Sequence, residues 1–96
     1  MIESKAIRLS SKISQGKGNI VSDMDGEKVM LSIHKGKYYN LGDMGGAIWD
    51  RIYTPVQVTE LIKTLLEEYD VSQSVCEEQV ISFLELLLKE DLIECN

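Results

Sequence analysis

Residues 19–41 read NIVSDMDGEKVMLSIHKGKYYNL, and this stretch decides the fold class. Two apolar runs flank Asp25-Gly26, and Asp-Gly between such runs predicts a two-residue hairpin turn, because both turn positions need positive φ. A second turn, His34-Lys35-Gly36, leads into a short run from Lys37 to Leu41. The pattern predicts a three-stranded antiparallel sheet whose last strand, residues 37–41, lies at an edge.

Beyond Leu41 the apolar residues follow the 3.6-residue period of helices. The predicted helices cover residues 44–53, 57–69 and 73 to about 91. Asp43 fits the N-cap position of the first helix and Ser72 that of the third. Ser74 with Glu77 is an alternative capping box for the third helix. Gly45 and Gly46 weaken the first helix, and the expected reason is a close approach of that helix to the sheet. The whole pattern predicts an α+β fold in which three strands precede three helices.

The third predicted helix has a wide apolar surface. Cys76, Val80, Phe83 and Leu87 form one ridge at about 100° per residue, and Leu86 widens the surface on one side. The apolar arc covers about 220°, whereas about 100° is enough to face a core. Either two elements of the domain flank this helix, or part of the arc lines a groove for a partner segment.

The predicted edge strand also has two interpretations. An edge presents unpaired N–H and C=O groups, so it is either an ordinary solvated edge or a template for an incoming strand. Backbone pairing contributes about 1 kcal/mol per hydrogen bond, and ordering each residue costs about 1–2 kcal/mol. Pairing therefore sets the register of a bound segment, and apolar anchors against the third helix have to supply the affinity.

Composition argues against several functional classes. The 96 residues suffice for one domain. Residues 41–96 carry a net charge of −9, which disfavours contact with nucleic-acid phosphates. A single histidine, His34, and two cysteines outside any C-x-x-C pair predict neither catalytic residues nor a metal site, and no cofactor is expected. No apolar run approaches the ~20 residues that span a membrane, and the N-terminus lacks a secretion signal, so a cytoplasmic protein is expected.

Two segments in combination resemble the PqqD-like proteins of lasso peptide biosynthesis. They are residues 22–30, SDMDGEKVM, and residues 36–41, GKYYNL. The C-terminal half agrees at Ile48-Trp49 and at residues 66–71, LEEYDV. The resemblance covers about residues 19–93. It implies a winged helix-turn-helix-like recognition element for ribosomally synthesised peptide precursors.

The resemblance also implies a non-catalytic function. Members of this family bind the leader segment of a precursor and present it to a separate, transglutaminase-like leader peptidase, with a macrolactam-forming cyclase acting afterwards. The leader adds a strand to the last strand of the sheet and lies against the third helix. Carried over by position, the leader-binding residues would be Lys37, Tyr38, Tyr39, Asn40, Leu41, Cys76, Gln79, Val80, Phe83, Leu84 and Leu87.

The predicted organisation has three parts. Residues 1–17 form an N-terminal arm or an irregular first strand, residues 18–93 the recognition domain, and residues 94–96 a tail. Asn40 stands where the family often has glycine, so its side chain is expected on the docking strand. The alternative functions are a winged-helix nucleic-acid-binding domain and a general protein-interaction domain. Five acids against one lysine in residues 72–91 disfavour the first of these.

Overall fold

The computed structural model describes residues 7–95, so residues 1–6 of the predicted arm and residue 96 of the predicted tail lie outside the described part. Six strands and three helices follow one another along this stretch. In chain order they are β1 (Lys12–Gln15), β2 (Asn19–Met24), β3 (Glu27–Ser32), β4 (Lys37–Asn40), α1 (Gly42–Arg51), β5 (Val56–Gln57), α2 (Val58–Glu68), α3 (Gln73–Lys89) and β6 (Ile93–Cys95).

The predicted meander is confirmed as a sheet in the order β2-β3-β4. Asp25 and Gly26 join β2 to β3 with φ of 56° and 83°, as the Asp-Gly pair predicts. Val29 pairs with Asn40 and Ser32 with Lys37, so β4 lies antiparallel to β3 and ends one residue before Leu41.

A second small sheet, in the order β5-β1-β6, was not predicted. Its strand β1 lies within the segment predicted as an arm or an irregular strand. Glu94 and Cys95 pair with Ser14 and Ile13, so they are not the polar tail that the sequence suggested. Strands of two to four residues are too short to show a period, which is why the pattern of the sequence missed this sheet.

The three predicted helices are confirmed, with shifted ends. Ser72 caps α3 as predicted, because its hydroxyl oxygen accepts a hydrogen bond from the Val75 N–H at 3.3 Å. Asp43 is not the N-cap of α1: the helix begins at Gly42, Leu41 occupies the cap position, and Asp43 lies in the first turn. An acidic residue is favourable there because it faces the positive end of the helix dipole.

The core lies between the two sheets and the helices. Its fully buried side chains come from every layer of the fold, and they include Ile13, Met30, Ile48, Ile52, Leu61, Leu65, Val80, Leu84 and Leu92. The predicted close approach of α1 to the sheet occurs at Gly46, where a Cβ atom would lie 3.0 Å from the Lys28 side chain of β3. Gly45 allows a second close approach, because a Cβ there would lie 2.8 Å from the Phe83 ring of α3.

Candidate functional site

Strand β4 has a free edge on the side away from β3, among the residues that the structure describes. The Leu41 N–H donates to the Lys28 carbonyl at 2.9 Å, and hydrogen-bonded pairs alternate along an antiparallel ladder. Residues 37, 39 and 41 therefore bond to β3, whereas Tyr38 and Asn40 direct their N–H and C=O groups outward. The edge offers four backbone groups to a partner strand.

Helix α3 runs beside this edge, and a groove of about 300 Å³ separates the two. The helix contributes Phe83, Leu86 and Leu87, and Glu90 lies just beyond its end. The complete lining is Lys37, Tyr39, Asn40, Leu41, Phe83, Leu86, Leu87, Glu90 and Leu92. A mostly apolar groove beside an unpaired strand edge combines a template for backbone pairing with a surface for apolar anchors.

Six of the residues predicted from the resemblance line this groove. They are Lys37, Tyr39, Asn40, Leu41, Phe83 and Leu87. Tyr38 belongs to the same edge, but its side chain points to the opposite face of the sheet, where it is 74% exposed.

The other helix residues of the prediction do not line the groove. Cys76, Val80 and Leu84 are fully buried in the core, so their prediction as groove residues is corrected. The physical reason is that α3 turns Cys76, Val80 and Leu84 towards the core, and the groove lies along the flank of the helix that carries Phe83 and Leu86. Gln79 lies on that flank, one helical turn before Phe83, and is exposed outside the groove lining.

Sequence reasoning missed Leu86, Glu90 and Leu92. Leu86 had a visible signal, since it extends the apolar arc of α3 to one side, and it is 55% exposed. Glu90 and Leu92 follow the helix, and only the tertiary fold brings them to the edge strand. The core covers one part of the wide apolar arc of α3, and Leu86, on another part, stays more than half exposed.

Asn40 is oriented by two hydrogen bonds. Its side-chain N–H donates to Glu27 Oε1 at 2.7 Å, and its Oδ1 accepts from the Gly42 N–H at 3.0 Å. Asn40 pairs with Val29, and the next pair along the ladder joins Tyr39 to the buried Met30. Because side chains alternate between the two faces of a sheet, the Asn40 side chain points away from the core face and lies on the face opposite the core.

One end of the groove is polar. The Tyr39 hydroxyl donates to Glu90 Oε1 at 3.0 Å, and Lys35 Nζ lies 3.5 Å from the same oxygen. The hydrogen bond from Tyr39, followed by the charge of Lys35, lowers the pKa of Glu90. Burial, together with the bond to Glu90, raises the pKa of Tyr39. These contacts tie β4 and the turn before it to the C-terminal end of α3.

Glu90→Gln is expected to change how stability depends on pH. Because folding lowers the pKa of Glu90, its carboxylate stabilises the fold above the unfolded-state pKa of about 4.3, and this contribution is lost as pH falls through the folded pKa. The urea midpoint of wild type should therefore exceed that of the variant at pH 7 and approach it at pH 3. Glu78→Gln, at an exposed site on α3, is the control for the loss of one carboxylate from this helix. An unchanged difference between wild type and Glu90→Gln would contradict the described contacts.

Residues 27–93 match the family model of coenzyme PQQ synthesis protein D, PqqD. This match covers most of the chain. The chain belongs to the PqqD family. No curated protein sequence matches it significantly.

Two solved structures share the fold of this PqqD-family chain. One is TbiB1 in complex with the TbiA(beta) leader peptide, with a TM-score of 0.75 and 25% identity over 84% of this chain and 94% of that one. The other is lasso peptide synthetase B1 complexed with the leader peptide, with a TM-score of 0.74 and 20% identity over 85% of this chain and 96% of that one. The second likeness is one of fold. Both support the winged helix-turn-helix-like α+β class.

Two features that residues 7–95 lack bear on the site. No group of three or more His, Cys, Asp or Glu side chains is placed to hold a metal ion there. Within the same range, no helix combines the length and apolar character that a membrane span requires.

Proposed function

We propose that this chain binds the leader segment of a lasso peptide precursor as an added strand on β4. The observation that carries the proposal is the free backbone edge of Tyr38 and Asn40 beside the apolar flank of α3. Membership of the PqqD family supports it, as does the likeness to TbiB1, which was solved with a leader peptide. The leader-contacting residues would be Lys37 to Leu41 together with Phe83, Leu86 and Leu87.

The two parts of the site have different energetic roles. Four backbone hydrogen bonds contribute about 1 kcal/mol each, which roughly offsets the cost of ordering the residues that form them. Two or three apolar leader side chains, each contributing about 1.5–3 kcal/mol when buried, would have to supply the net affinity. Successive side chains of a strand alternate in direction, so these anchors would occupy every second leader position.

The chain is proposed to act as an adaptor without catalysis of its own. The walls of the groove are mainly apolar, and its one carboxylate, Glu90, is already bonded to Tyr39 and Lys35. A bound leader would be presented to a separate transglutaminase-like peptidase, and a macrolactam-forming cyclase would act on the product. We place this activity in the cytoplasm, where ribosomal precursors are made.

Isothermal titration tests leader binding directly. The cognate titrant is a synthetic leader of about 20 residues, to be taken from a lasso precursor encoded in the same genome once one is identified. The TbiA(beta) leader is the heterologous reference. Micromolar or tighter binding of the cognate leader is expected, corresponding to about −8 kcal/mol. No heat at high micromolar concentrations of the cognate leader would overturn the proposal.

Tyr38→Pro tests whether binding occurs by strand addition. The Tyr38 N–H faces the free edge, so proline removes a hydrogen bond to the leader without breaking one to β3. We expect affinity to fall about tenfold, because the lost bond and the bulk of the ring both disturb pairing. Tyr38→Ala removes the side chain but keeps the N–H, and it should bind within about threefold of wild type. Equal affinities of the two variants would argue against pairing at β4.

A further inference from the structure

Gly45 lies behind the wall of the groove without lining it. The residue is buried in α1, and a Cβ atom at this position would lie 2.8 Å and 2.9 Å from Cζ and Cε1 of Phe83. The same Cβ would lie 3.4 Å from Cβ of Leu41. Phe83 and Leu41 both line the groove. Two side chains of the groove wall therefore rest against Gly45 from the other side.

The backbone of α1 does not require glycine at this position. Gly45 is not among the described glycines with positive φ. It lies inside a helix, where glycine is less favourable than alanine. The observation that accounts for a glycine here is the space that the Phe83 ring occupies.

The groove is the open space beside the Phe83 ring. The ring packs against the core, which is filled to a density that leaves no room for it to move inward. Helix α1 is held in place by its buried residues Ile48 and Trp49. With a methyl group at position 45, the ring would have to move by roughly 0.7 Å to reach the ~3.5 Å at which carbon atoms pack. That movement narrows the groove.

We propose that Gly45 is a positioning residue for leader recognition, because it holds the Phe83 ring back and so keeps the groove deep enough for a large apolar leader side chain. The inference rests on the proposed function. It makes the groove selective for size. Overfilling a packed site is unfavourable, so a methyl group at position 45 would act against anchors of leucine size or larger. An alanine anchor does not reach the floor of the groove and would be little affected.

Gly45→Ala in the full chain tests this inference, and Gly46→Ala is the matched control. The control adds the same methyl group at the next position of α1, where it meets the Lys28 side chain instead of Phe83. The peptide probes for isothermal titration are the cognate leader, with the TbiA(beta) leader as the reference, and versions of each in which one apolar residue is replaced by alanine.

The expected result is a loss of affinity that depends on the leader. Gly45→Ala should bind the unsubstituted leader about tenfold more weakly than wild type does. For the leader whose anchor against Phe83 is replaced by alanine, the same substitution should change affinity by less than about twofold. Gly46→Ala should bind every leader within about twofold of wild type.

Two further measurements show whether Gly45 acts through Phe83. Phe83→Leu leaves room for the added methyl group, so combining it with Gly45→Ala should cost less than about twofold in leader affinity relative to Phe83→Leu alone. Phe83 is also the single phenylalanine of the chain. NMR of selectively labelled phenylalanine therefore follows this one ring, whose signals should shift in Gly45→Ala and stay in place in Gly46→Ala before any leader is added.

The contrary outcomes are equally decisive. A folded Gly45→Ala protein that binds the unsubstituted leader like wild type would overturn the inference and leave the proposed function in place. An equal loss of affinity in the wild-type and Phe83→Leu backgrounds would do the same. So would a Gly45→Ala protein that no longer folds, because the ring would then be unable to retreat into the groove. A wild-type protein that binds no leader would overturn the proposed function itself, and this inference with it.

Discussion

Leu86→Asp is expected to lower leader affinity by about a hundredfold or more while the domain stays folded. Leu86 is more than half exposed and lines the groove, so an anchor of the leader would cover it. Its loss removes about 1.5–3 kcal/mol of apolar contact. The new carboxylate adds a desolvation cost of about 1–3 kcal/mol, and it lies one turn from Glu90, where like charges repel.

Val75→Asp is the matched control for this substitution. Val75 is also an exposed apolar residue of α3, at 41%, and it does not line the groove. A carboxylate near the N-terminus of a helix is favourable, so this variant should fold and bind the leader like wild type. Isothermal titration and thermal melts measure both properties. Unchanged affinity of a folded Leu86→Asp protein would place the leader on another surface.

Gly16→Ala is expected to destabilise the protein by about 1–3 kcal/mol. A Cβ at this position would lie 2.7 Å from the Leu92 carbonyl oxygen, which accepts the Gly16 N–H at 2.9 Å. Backbone atoms held by this bond and by the adjacent β1–β6 pairing cannot move aside as a flexible side chain can. The melting temperature should fall by roughly 4–8 °C for each kcal/mol lost.

Gly46→Ala adds the same methyl group at a more tolerant position. Its Cβ would meet the aliphatic part of the Lys28 side chain, which can shift, and alanine favours the helix by about 1 kcal/mol. Its melting temperature should equal or exceed that of wild type. If Gly16→Ala has the same melting temperature as Gly46→Ala, then β1 and β6 do not pair as described. This pair of variants therefore tests the sheet that the sequence did not predict.

The local pattern of residues 19–41 was sufficient to predict the main sheet. Asp25-Gly26 specifies its own turn, because the positive φ of both residues is a local requirement. The apolar periods of α2 and α3 and the Ser72 cap are likewise properties of neighbouring residues. The family resemblance added that the segment bound between the edge strand and the third helix would be a leader peptide, and the family itself is confirmed by the match to residues 27–93.

The sequence by itself thus determined the order of the main elements and the edge at β4, because hairpin turns, helix caps and hydrophobic periods act over a few residues. Only the tertiary structure decided which flank of α3 faces that edge. The core takes Cys76, Val80 and Leu84, and this choice leaves Phe83 and Leu86 for the groove. Residues distant in sequence, such as Tyr39 and Glu90, meet only after α3 has packed. A wide apolar arc does not specify its own orientation, because several rotations of such a helix bury similar area and the neighbouring elements select among them.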